Sequence, residues 1–70
     1  MHKEFESYRL NEKGKRTLFR VKASFDALLN ELEGALIPSR EMSIVRTKLE
    51  EASFYAAKAL SLDHTNQENG

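Results

Sequence analysis

The segment Gly34-Ala35-Leu36-Ile37-Pro38-Ser39 divides the chain. Pro38 is the single proline. It pushes the residue before it, Ile37, out of helical angles, so a helix arriving from the N-terminal side has to stop here. Ser39 can then cap a second helix by accepting from an unpaired N–H of its first turn. On the N-terminal side Leu18, Val21, Phe25, Leu28, Leu32 and Ala35 recur at alternating three- and four-residue steps. With Leu29 and Leu36 beside them they form the apolar stripe of an amphipathic helix. Asn11, followed by Glu12, is a good N-cap, and the expected span is 11–35. Beyond the break Met42, Val45, Leu49, Ala52, Ala56 and Ala59 keep the same spacing, with Tyr55, Leu60 and Leu62 alongside. This predicts a second helix over 39–62. The expected fold class is all-α: an antiparallel helical hairpin (11–62) behind a short N-terminal lead-in (1–10). The polar tail 63–70 has nothing to bury and should fray or be disordered.

Seventy residues without a cysteine make a marginal domain. Helices of this length, at 1.5 Å per residue, reach roughly 33 to 37 Å, so the hairpin should be thin and elongated. Phe19, Leu29, Ile44, Phe54 and Leu60 would then remain uncovered, and association of hairpins into a helical homo-oligomer is expected. The absence of cysteine suits a reducing compartment. Met1 to Leu10 carries no signal-like apolar run, and no stretch approaches the roughly 18 apolar residues of a membrane span.

Eleven basic and eleven acidic residues balance. That argues against a nonspecific nucleic-acid binder, which needs a basic excess. The distribution is uneven: Arg9, Lys13, Lys15, Arg16, Arg20 and Lys22 face only Glu12 in their stretch. The plain account of this cluster is a solvated helix face. The alternative is phosphate binding, helped by arginine's fork and by the positive end of the helix dipole near Asn11. Tyr8, next to the cluster, is suited to stacking on a nucleobase while cations hold the phosphate. Enzyme signatures are missing. His2 and His64 lie far apart, no metal-ligand spacing or phosphate-binding glycine loop occurs, and the adjacent Glu50 and Glu51 point about 100° apart on a helix. No catalytic residue, metal site or cofactor is expected. Ser39, Glu41 and the pairs Arg46–Glu50 and Lys48–Glu51 have structural readings of their own.

The run Pro38-Ser-Arg-Glu-Met-Ser-Ile-Val-Arg-Thr-Lys-Leu-Glu-Glu-Ala52, followed by Phe54, Tyr55, Ala56, Ala59 and Leu60, resembles the helical-hairpin domain of phage anti-CBASS and anti-Thoeris proteins, which sequester cyclic nucleotide signals. Tyr8-Arg-Leu-Asn11 is similar to the tyrosine-containing lead-in of the anti-CBASS members. The resemblance implies a homohexamer that binds cyclic dinucleotides or trinucleotides between protomers and performs no reaction on them. It implies action in the cytoplasm of an infected bacterial host, with neither a nucleic-acid polymer nor a membrane as partner. By position, Tyr8 would stack a base, next to Arg9, and Lys22 and Ser24 would contact phosphate or base edges. Arg40, Thr47 and, more weakly, Arg46 would line a further pocket for a cyclic trinucleotide or a cyclic adenosine-diphosphate-ribose signal.

Two rival classes remain at this level. An oligomeric hairpin that presents a surface to a host protein would depend on Phe19 and Phe54 rather than on Tyr8, Lys22 or Arg40. A helix-turn-helix DNA binder fits less well, because the basic residues sit on the first helix and Pro38 suits antiparallel packing.

Overall fold

The computed structural model describes residues 9–68. Two helices form a hairpin: α1, Glu12–Ala35, and α2, Arg40–Ser61. No strand occurs among the described residues, and the one β-bridge joins Leu10 to Gln67. Helix α1 starts because the Asn11 side chain accepts from the Gly14 N–H at 2.7 Å. It stops at Leu36, which turns extended ahead of Pro38 (φ −115°, ψ 148°). Ser39 starts α2 by accepting from the Met42 N–H at 3.0 Å. Each such cap stabilises its helix by about 1 kcal/mol. The hairpin measures 47 × 26 × 11 Å, and its Cα radius of gyration of 15.0 Å exceeds the roughly 11 Å of a compact chain this size.

The facing stripes are rotated from those the alternating spacing predicts. On α1 they are Leu18, Val21, Phe25, Leu29 and Leu32, all half-buried, while Leu28 and Ala35 are exposed. On α2 they are Met42, Val45, Leu49, Ser53, Ala56 and Leu60, while Ala52 and Ala59 face outward. A strict alternation of three and four drifts by about 20° per heptad from a straight helix, and both contact lines take an extra four-residue step to stay in register. Leu29 and Leu60, expected on the flanks, are therefore part of the seam.

The tail does not fray over the residues described. After α2 the chain folds into a 3-10 turn, His64–Asn66, and crosses the open end of the hairpin as a strap over 63–68. Asn66 is buried at 5% exposure, and its side-chain amide donates to the Leu60 carbonyl at 3.0 Å. Asn11 receives the strap: its backbone N–H donates to the Asn66 carbonyl at 2.8 Å. Its side-chain amide donates to the carbonyls of Thr65 and Gln67, at 2.9 and 3.1 Å. The expectation of disorder rested on the tail's lack of apolar residues, and what orders it is satisfied polar groups instead.

Little of this is a hydrophobic core. Among the described residues Met42 is the one buried apolar side chain, at 7% exposure. Phe19 (75%), Phe54 (64%), Tyr55, Ile44 and Leu62 stay exposed.

Candidate ligand-binding site

Arg40 and Thr47 lie seven residues apart, nearly two turns, and so share the face of α2 that points away from α1. Together with Ser43, Ile44 and Lys48 they line an open groove of about 400 Å³. The Arg40 guanidinium is held only loosely, 3.9 Å from Glu41, and stays exposed. Thr47 Oγ1 donates to the Ser43 carbonyl at 3.1 Å. Its proton is thereby engaged, and what it offers outward is lone pairs, suited to accepting from an amino group. The groove thus combines two cations, an apolar floor and an acceptor.

Arg46 stands elsewhere. One residue before Thr47, it points about 100° away around the helix and pairs with Glu33 of α1. It ties the two helices together and takes no part in lining the groove.

On α1 the candidates separate in the same way. Lys22 and Ser24 are both exposed, but residues two apart on a helix point about 200° from one another. Ser24 Oγ donates to the Arg20 carbonyl at 3.0 Å, so it too presents lone pairs outward. Arg9 is exposed on the lead-in, its Nε 3.4 Å from Glu68 Oε1. Tyr8 lies outside the described residues.

A second groove of about 620 Å³ follows the first turns of α1, lined by Lys13, Lys15, Arg16, Thr17, Phe19 and Arg20. Among the described residues Arg16, Arg20 and Lys22 enter no ion pair. Lys13 is already employed: its ammonium donates to Thr65 Oγ1 at 2.9 Å and to Asn66 Oδ1 at 3.3 Å. The sequence signals this basic face, because arginine and lysine recur there without carboxylates. It does not signal Ser43, Ile44 and Lys48, which have ordinary helix-surface roles until Arg40 and Thr47 are seen beside them. A third, smaller hollow between the helices, with Asp26 and Glu50 among its walls, carries the wrong charge for an anion. Among the described residues no group of carboxylates and histidines is arranged to hold a metal ion, and no helix is long and apolar enough to cross a membrane.

The slender hairpin thus carries cationic grooves on its outer faces and leaves large apolar side chains uncovered. The family model described as the Acb2/Tad1 hairpin domain matches residues 8–61, and the chain belongs to that family, the anti-CBASS and anti-Thoeris sponges. The family implies anti-defence sequestration of cyclic nucleotides, which is binding rather than catalysis. No curated protein and no solved structure matches the chain.

Proposed function

We propose that this protein binds and holds cyclic oligonucleotide immune signals, cyclic dinucleotides and/or trinucleotides, without cleaving them, so that the effector they would activate stays idle in the infected bacterium. The observation that carries the reading is the family match over 8–61, which spans all seven candidate residues named from the sequence. The mechanism is competition by mass action, and a nanomolar binder needs about 12 kcal/mol. Stacking on Tyr8 and charge-assisted contacts from Arg9 and Lys22 would contribute to it at a dinucleotide site. Arg40 and Lys48 would hold the phosphates of a larger ring, with Thr47 accepting from a base amino group. Arg46 acts through the hairpin rather than on the ligand.

Assembly belongs to the same reading. A hairpin with one buried apolar residue stands at the edge of stability, and copies packed as a homohexamer would cover Phe19, Ile44 and Phe54 while enclosing ligands between them.

The test is thermal unfolding against cyclic dinucleotides, cyclic trinucleotides and cyclic adenosine-diphosphate-ribose isomers, with linear nucleotides as controls. A ligand at a hundred times its dissociation constant adds about 2.7 kcal/mol per site. A shift with one cyclic class, and recovery of that ligand chemically unchanged, supports the reading. No shift with any ring, or recovery of a cleaved product, refutes it. The second reading, a surface for a host protein, is favoured by the exposure of Phe19 and Phe54 and predicts binding that survives alanine at Tyr8, Lys22 and Arg40.

A further inference from the structure

The face of α1 turned away from α2 changes character along its length. At about 100° per residue Arg16, Phe19, Arg20, Ala23, Ala27 and Glu31 fall together on it, and all six are exposed. Its first half is basic, its middle is two alanines and its second half is acidic. Among the described residues Arg16, Arg20 and Glu31 enter no ion pair. Phe19 stands beside the arginines at 75% exposure, uncovered by its own chain.

A face with opposite charges at its two ends complements itself when a copy is turned end for end. Two α1 helices laid antiparallel about a twofold axis near residue 25 bring Ala23 of one copy opposite Ala27 of the other. The same register brings Arg20 beside Glu31 of the second copy, with Arg16 one turn along, and sets Phe19 over Asn30. Each of these pairs is centred within about one position of residue 25, so one axis serves them all. Direction agrees as well as height. Residues eleven apart on a helix point within about 20° of one another, which puts Arg20 and Glu31 on one edge of the face and Phe19 and Asn30 on the other. The axis keeps each pair on its own edge. The alanines let the two backbones approach at the short end of the usual range of about 8–10 Å.

We propose that this face of α1 is the docking surface for a second copy of the chain, antiparallel, with Arg16 and Arg20 of each copy against Glu31 of the other. It rests on the reading that hairpins self-associate, and needs no bound ligand. Covering Phe19 and the alanines supplies attraction. The exposed charges add little to that, but they set direction: a parallel pair would oppose arginine to arginine and Glu31 to Glu31.

The experiment is sedimentation of the full chain, without ligand, over a dilution series at low salt, with helicity measured on each variant. Arg16→Glu/Arg20→Glu makes both halves of the face acidic, and Glu31→Arg makes both basic. Each alone should need at least tenfold more protein than wild type to assemble, with helicity kept. An equimolar mixture of the two, and the triple variant that carries all three changes, should assemble within threefold of wild type, because opposite charges meet again in both. Should a charge variant lose its helices, crosslinking decides: the chain has no cysteine, so Ala23→Cys is mixed with isotopically labelled Ala27→Cys and oxidised. The disulfide between the two variants should then dominate over those within either. Assembly of either charge variant as in wild type overturns the docking surface and leaves self-association standing. So does weakening that neither the mixture nor the triple variant restores, or crosslinking dominated by like variants. Wild type that stays monomeric throughout removes the surface and the assembly reading together, while ring binding is scored separately by the thermal shifts.

Discussion

The carbonyl oxygen of Asn66 occupies the space where a side chain on Gly14 would begin: a Cβ built on Gly14 would lie 2.5 Å from it. Glycine in a helix is ordinarily a loss of about 1 kcal/mol against alanine. Here the sign reverses. Gly14→Ala should lower stability by about 1–3 kcal/mol, because the atom in the way is backbone and the strap must lift to admit the methyl. Thermal unfolding gives the sign, and amide exchange over 63–68 should accelerate more than that of α2's middle turns. Gly34, with nothing within 4 Å of its Cβ position, is the control: Gly34→Ala should not destabilise.

Arg46 and Arg40 should part company under mutation. Arg46→Ala removes a partly exposed pair with Glu33 and is expected to change stability by no more than about 1 kcal/mol, with ligand affinity kept. A double-mutant cycle with Glu33→Ala should return a coupling of that size. Arg40→Ala is expected to leave the melt unchanged and to weaken binding of a cyclic trinucleotide at least tenfold, measured by titration calorimetry.

Thr47 should discriminate among bases through its lone pairs. With its proton directed to Ser43, the hydroxyl accepts from an exocyclic amine, so a ring of adenylates should bind more tightly than one built on purine lacking that amine, by about 1 kcal/mol. Thr47→Val should erase the difference and Thr47→Ser should keep it.

Asp63 makes the strap acid-sensitive. The Thr65 backbone N–H and hydroxyl both donate to its carboxylate, each at 2.9 Å, and with the nearby charges of Lys13 and His64 they hold its pKa below the ordinary 3.8. A folded-state pKa below the unfolded one means that the contribution is present above the unfolded value and is lost as pH falls through the folded one. The Thr65 amide should therefore lose exchange protection in the window below 3.8, and Asp63→Asn should lack that transition.

Much of the hairpin is legible in the sequence, because its signals are local. Asn11, Ser39 and Pro38 act on backbone within three residues, and each does so in the structure. The direction of the seam is less legible. Ala52 and Ser53 are neighbours, and small accumulated rotation decides which one faces α1. The strap is not legible at all from its own composition, since Asn66 is ordered by partners on Asn11, 55 positions earlier, and on Leu60. The candidate site divides along the same line. Residue types place Arg40 and Thr47 on one face by counting, whereas the pairing of Arg46 across to Glu33 depends on how two helices lie together.

The opposed directions of Lys22 and Ser24 bear on how binding should scale. One rigid ring lying against one side of an isolated hairpin reaches one of these residues and misses the other. A ring that touches both has to be shared by two chains. The number of such rings held would then count the contacts between chains rather than the chains themselves, and uptake would fall away faster than protein concentration as the chains are diluted apart. Titrating signal into a dilution series would expose this directly: bound ligand per chain would decline with dilution, even with free signal held constant.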